Sequence, residues 1–151
     1  MEQTLFNDIC ARLPYGLKCQ YKAPLEGAFA DKPEYYDVIG IPDANSVDII
    51  ACGKYRFAKV PIDDIKPYLR PMSSMTDEEF LALQDMCIYK NLEYESNINK
   101  FYTLWKRKKD VPFYMYDSNQ IEYLISHYLD YHGLIPMGLA LEAPEGMYEN
   151  F

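Results

Sequence analysis

Within six residues of one another stand His127, Asp130 and His132, with Glu142 and Glu145 following. Imidazoles and carboxylates in such proximity could hold a transition metal. On a helix, however, positions five apart lie about 140° from each other, so His127 and His132 do not share a face as H-x-x-x-H ligands do. Asp130 and His132 fall near the expected end of a helix, where histidine commonly meets the last carbonyls. No metal is expected there.

Two other chemistries can be asked of the chain. Cys52 and His127 are the residues a thiolate and its base would need, but a buried, inert cysteine is the simpler expectation. Ser73 and Ser74 have neither a G-x-S-x-G elbow nor an S-x-x-K partner, and an activated serine needs a base within hydrogen-bond reach. The chain also lacks G-x-x-x-x-G-K-[ST] and G-x-G-x-x-G phosphate-binding loops. These readings lead to a non-enzymatic protein with no catalytic residue and no cofactor.

The remaining conspicuous cluster is Trp105, Lys106, Arg107, Lys108 and Lys109. Beside aromatic side chains, such a run could contact a nucleic-acid backbone or a partner. The chain as a whole opposes the nucleic-acid reading, since 15 basic residues face 23 acidic ones for a net charge of −8. Taking the four basic residues of the run from those 15 leaves 11 against 23, so the run stands alone on an acidic surface. Placed at a helix C-terminus, it would also complement the helix dipole.

Elements must position these side chains. Residues 4–13 carry Leu5, Ile9 and Leu13 at helical spacing, with Thr4 as the expected cap and Asp8 and Arg12 four apart. Alternation begins at Leu17, and the runs LKCQYK, YYDVIGI, SVDIIAC and YRFAKVPI predict four antiparallel strands, followed by a turn and an extended YLRP piece. That order suggests a small sheet or an SH3-like barrel, whose closure would remove exposed edges.

The segment YLRPMSSMTDEE reads as the start of a helix. Pro67 and Pro71 hold the chain extended. Thr76 and Glu79 form a capping box, and Met75 and Phe80 occupy the positions of a hydrophobic staple. The helix should run to about Lys90 with Phe80, Leu83, Met86 and Cys87 inward. Ile98, Phe101, Tyr102 and Trp105 predict another helix. A last one begins at Asp117 or Ser118, turns Ile121, Leu124, Ile125, Tyr128 and Leu129 inward, and stops near Gly133. The tail, rich in Gly and Pro, should pack back irregularly.

The fold class is therefore α+β: an N-terminal helix, a small antiparallel β-sheet or SH3-like barrel, and C-terminal helices. The 151 residues suit a single domain, β-rich over about 17–71 and helical over about 76–151. Without a long apolar run or a signal core, a cytoplasmic location is expected. The cysteines, Cys10, Cys19, Cys52 and Cys87, are widely spaced and should be reduced. Fifteen tyrosines against seven Phe and one Trp supply amphipathic surface suited to half-buried positions and partner contacts.

Three stretches, ARLPYG, KPYLRPMSSMT and GLIPMGLALEAPEGMY, resemble a family of uncharacterised proteins from gut anaerobic bacteria and their phages or mobile elements. The resemblance implies a phage- or mobile-element-associated accessory protein and transfers no catalytic residue. The expected function is binding of another protein. The alternatives are nucleic-acid binding through the barrel and residues 105–109, and an enzyme whose site is assembled from distant residues.

Overall fold

The computed structural model describes residues 2–22, 35–51, 53–86 and 116–148. It has a mixed α+β fold divided into two units, Met1–Tyr68 with Leu134–Ala143 and Leu69–Gly133 with Pro144–Phe151.

The first unit opens with helix α1 (Glu2–Arg12), which starts before the expected cap because Glu2 and Gln3 are good helix formers. Thr4 thus lies inside the first turn. The buried stripe is Leu5, Asp8, Ile9 and Arg12, the i, i+3, i+4, i+7 set. Asp8 and Arg12 are both 0% exposed, and the guanidinium grips the carboxylate through Nε to Oδ1 at 2.5 Å and Nη2 to Oδ2 at 3.3 Å. Charges taken wholly out of water must be paired in this way.

Strands β1 (Leu17–Tyr21), β2 (Tyr36–Asp43), β3 (Ser46–Ala51), β4 (Tyr55–Pro61), β5 (Ile65–Leu69) and β6 (Leu141–Glu142) form one sheet in the order β4-β3-β2-β1-β5-β6. The pairs β1–β2, β1–β5, β2–β3 and β3–β4 are all antiparallel. Alternation places Leu17, Cys19, Tyr36, Val38, Val47 and Ile49 in the core. Burial, with the charge of Asp37 adding to it, pushes the Cys19 thiol up to about 12, so it stays protonated.

A single 3₁₀ turn, Ile62–Asp64, links β4 to β5. Such a link reaches at most about 14 Å. A flat sheet would put β4 and β5 roughly 19 Å apart, four strand spacings, so the sheet must curl. Two backbone bonds fix the turn: the Ile62 amide to the Asn45 carbonyl at 2.9 Å and the Lys22 amide to the Asp64 carbonyl at 2.7 Å. The sheet nevertheless stays open. Among the described residues no ladder joins β4 to β5 or to the two-residue β6, so the closed form of the SH3-like barrel is not reached. The strand expected at YLRP begins earlier, at Ile65, because the 3₁₀ turn takes up only Ile62–Asp64.

In the second unit, a 3₁₀ turn at Met72–Ser74 precedes helix α2 (Asp77–Met86). The capping box forms as expected: the Glu79 amide donates to Thr76 Oγ1 at 3.1 Å, and the Thr76 amide donates to Glu79 Oε1 at 3.0 Å. Met75 and Phe80 are buried together with Met72, Leu83, Tyr116, Leu124, Leu129 and Tyr131 in one apolar cluster. Met86, expected inward, is 36% exposed, since the buried face of α2 is carried by Phe80 and Leu83. Cys87, the rest of the expected helix to Lys90 and the expected helix around residues 98–105 lie outside the described residues.

Helix α3 (Ser118–Ser126) is capped by Asp117, whose side chain accepts from the Gln120 amide at 3.0 Å, while Gln120 Oε1 accepts from the Asp117 amide at 3.1 Å. The same Gln120 side chain, 3% exposed, donates through Nε2 to the Leu83 carbonyl at 2.9 Å, which links α3 to α2. Leu134 and Ala140, which belong to the first unit, are buried, and Leu141–Glu142 adds β6. Replacing Thr76 by Ala removes the cap oxygen at α2 and should lower stability by about 1 kcal/mol. Chemical denaturation of T76A beside the wild type measures it, and an unchanged midpoint would refute the cap's contribution.

Candidate functional site

Among the described residues of the second unit, Arg70 is a heavily bonded side chain for which no sequence motif gave a signal. Its Nη1 donates to Glu79 Oε2 at 2.8 Å and its Nη2 to Glu79 Oε1 at 2.7 Å, a two-pronged pair with both side chains largely shielded from water. The same nitrogens reach the carbonyls of His127 at 3.3 Å and Ser74 at 3.2 Å. The Arg70 backbone joins in, its amide donating to the Tyr128 carbonyl at 2.7 Å and its carbonyl accepting from the Asp130 amide at 2.9 Å. One residue therefore ties the start of α2 to the chain leaving α3. Arg70 also sets positive charge against the C-terminal end of α3, where the dipole favours it.

Burial alone would raise the Glu79 carboxyl. The Arg70 hydrogen bonds, the Thr76 amide and the Arg70 charge outweigh it and hold the group below its ordinary value of 4.5. Burial, reinforced by the Glu79 charge and opposed by Arg70, pushes the Tyr123 hydroxyl up.

The three metal-capable residues do not converge. The His127 ring stacks on Tyr123 with centroids 3.9 Å apart and planes 18° apart, and its Nδ1 lies 2.9 Å from the Tyr123 carbonyl. A carbonyl only accepts, so Nδ1 carries a proton. Ser126 Oγ, 3.1 Å from the same nitrogen, donates to that carbonyl at 2.9 Å. His132 packs on Tyr131 at 4.2 Å. Asp130 is buried, and its backbone serves Arg70 and the Gly133 turn. Among the described residues no group of three or more His, Cys, Asp or Glu could hold a metal ion. Ser73 is exposed, and the Ser74 hydroxyl donates to the Pro71 carbonyl at 2.7 Å, which is turn chemistry. Cys52, Trp105, Lys106, Arg107, Lys108 and Lys109 lie outside the described residues.

Helix α3 ends at Ser126, seven residues before the glycine expected to stop it. The Leu129 amide bonds the Leu124 carbonyl at 3.0 Å and the Tyr128 amide bonds the Ile125 carbonyl at 3.1 Å, the paired bonds of a Schellman cap. Its left-handed position, usually glycine, is held by Tyr128 at φ 62°. A side chain in that conformation costs roughly 1–2 kcal/mol. Tyr128 is buried and stacks flat on Tyr148, with centroids 3.7 Å and planes 7° apart. An aromatic pair contributes about 0.5–1.5 kcal/mol beyond its burial, so stack and strain are of similar size.

The first unit carries an irregular stretch on the wet face of its sheet. On the wet face of the sheet, the register lines up Lys18, Asp37, Ile50 and Arg56 across four strands. Lys18 pairs with Asp37 at 2.9 Å and sits 4.6 Å over the Tyr35 ring. Asp48, at the centre, has two residues facing it on each side, Ile39 and Gly40 in β2 and Ala58 and Lys59 in β4, so both neighbouring strands bulge around it. Its Oδ1 accepts the Lys59 amide at 2.9 Å, where Lys59 is left-handed at φ 52°, and its Oδ2 meets Arg56 Nη2 at 3.3 Å. A Cβ on Gly40 would stand 3.4 Å from Oδ2, so a residue with a longer side chain would crowd the carboxylate. Ile39 is left 45% exposed on an interior strand.

Fold and surface together define a mixed α+β protein with an open, curled sheet, and no helix among the described residues is long and apolar enough to cross a membrane. No family model, curated protein or solved structure matches the chain.

Glu79 is depressed in the folded state, so its contribution to stability is full above the ordinary value of 4.5 and disappears as pH falls through the lower folded value. The stability difference between wild type and Glu79→Gln should accordingly be flat near neutrality and shrink below that pH. Arg70→Ala strands the carboxylate and should cost roughly 3 kcal/mol. Denaturation series at several pH values read both effects. An R70A loss no larger than that of T76A would show that the Arg70 junction does not hold the unit together.

Proposed function

We propose that this chain is a non-enzymatic binding protein that docks another protein on the wet face of its sheet, around Ile39. One observation carries the reading: a large apolar side chain 45% exposed on an interior strand, with Asp37 of the Lys18–Asp37 pair two residues along β2 and Asp48 of the Arg56–Asp48 pair across from it on β3. An apolar centre within a charged rim is the anatomy of a protein interface, and a buried hot spot there contributes more than the surrounding contacts. Two bulges around Asp48 give this face a fixed shape, which favours recognition over non-specific adhesion.

Among the described residues of the second unit, the engagement of Arg70, Glu79 and His127 in ion-pair and backbone bonds supports a non-catalytic reading. We further propose an accessory role in a phage or mobile-element setting, on the resemblance of ARLPYG, KPYLRPMSSMT and GLIPMGLALEAPEGMY described above.

Capture from cell extract tests the proposal. A protein retained by the wild type should be lost with Ile39→Asp, at least a tenfold fall in affinity, while the melting temperature of the variant is unchanged. Equal capture by both proteins would exclude this face. Tight, salt-steep retention of single-stranded nucleic acid in low salt would favour the alternative through Trp105, Lys106, Arg107, Lys108 and Lys109.

A further inference from the structure

Tyr128 breaks a local rule. The left-handed position of a helix cap favours glycine, because any Cβ there meets the backbone, yet the chain places a buried tyrosine at φ 62°. Departures of this kind tend to mark positions where a second demand outweighs local preference. The second demand is visible in the stack with Tyr148, whose ring lies 3.7 Å from that of Tyr128 and within 7° of parallel.

Tyr148 is delivered by a turn built for the purpose. The Met147 amide donates to the Pro144 carbonyl at 3.1 Å, and Gly146 takes φ 82°, the third position of a type II turn. The turn reverses the chain just before the tyrosine. At the other end, the Tyr128 carbonyl accepts the Arg70 amide at 2.7 Å, and the neighbouring His127 carbonyl accepts from the Arg70 guanidinium. Tyr128 therefore has the tail on its ring and the Arg70 junction on its backbone.

We propose that residues 144–148 form a strap that seats Tyr148 on Tyr128 and can lift, and that Tyr128 occupies the glycine position of the cap so that seating the strap locks the Arg70 junction. When the strap lifts, the stack no longer offsets the strained backbone, the left-handed turn relaxes, and the carbonyls of His127 and Tyr128 turn away from Arg70. Anything that engages residues 144–148 would thereby loosen the junction at the start of α2. The device lies in the second unit and does not depend on the sheet-face reading.

Hydrogen exchange resolved at single amides tests it on the full chain. In Tyr148→Ala, the Arg70 and Asp130 amides should exchange at least tenfold faster, while the Ile62 amide, bonded to the Asn45 carbonyl in the first unit, keeps its rate. Tyr148→Phe, which preserves the stack, should match the wild type. The decisive variant is Tyr128→Gly in the Tyr148→Ala background: glycine holds the left-handed turn unaided, so protection of Arg70 and Asp130 should return. Arg70 and Asp130 rates within twofold of wild type in Tyr148→Ala would overturn the strap. Failure of Tyr128→Gly to restore them would overturn the role of the strained cap, and equal acceleration at Ile62 would show the tail to be ordinary packing whose loss unfolds the chain.

Discussion

A guanidinium shielded from water must have its charge balanced and its hydrogens placed, and in the second unit that requirement on Arg70 organises everything around it. Glu79 supplies the balance, the carbonyls of Ser74 and His127 take further hydrogens, and the arginine backbone pairs with the chain beyond α3. Because the Glu79 carboxylate also closes the capping box, helix initiation and charge neutralisation share one group. The start of α2 is thereby fixed by a residue outside the helix. In the first unit, the Asp8–Arg12 pair meets the same demand in fuller burial.

What could be read in the sequence divides by distance along the chain. The capping box at Thr76, a helix start at Asp117 or Ser118, the staple of Met75 and Phe80, and the alternation of β1 are contained within a few residues, and the structure shows each of them. Arg70 was passed over because its partners on the α3 side lie 57 or more positions away and no spacing rule reaches that far. The Asp8–Arg12 spacing was legible but its complete burial was not, since charged residues are ordinarily taken as exposed. The end of α3 was misplaced for another reason. The cap carries no glycine, so the signal that normally marks such an end was missing. Asp48 likewise announced nothing, because a bulge is a property of two strands at once.

Several of the described residues that first suggest chemistry have structural partners. His127 and His132 lie on tyrosines, the Ser74 hydroxyl closes a turn, and Cys19 is a protonated core thiol. In the first unit Ile39 stays exposed beside the two bulges at Asp48.

The placement of β6 has a consequence for biogenesis. This strand, at Leu141–Glu142, flanks β5 on the side away from β1, yet ribosomes deliver it only after some seventy further residues have emerged. Throughout that interval the nascent protein carries β5 with unpaired amides and carbonyls along one side, an invitation to pair with a neighbouring polypeptide. Where emerging chains crowd one another, slow translation of the stretch between β5 and β6 should therefore favour such pairing.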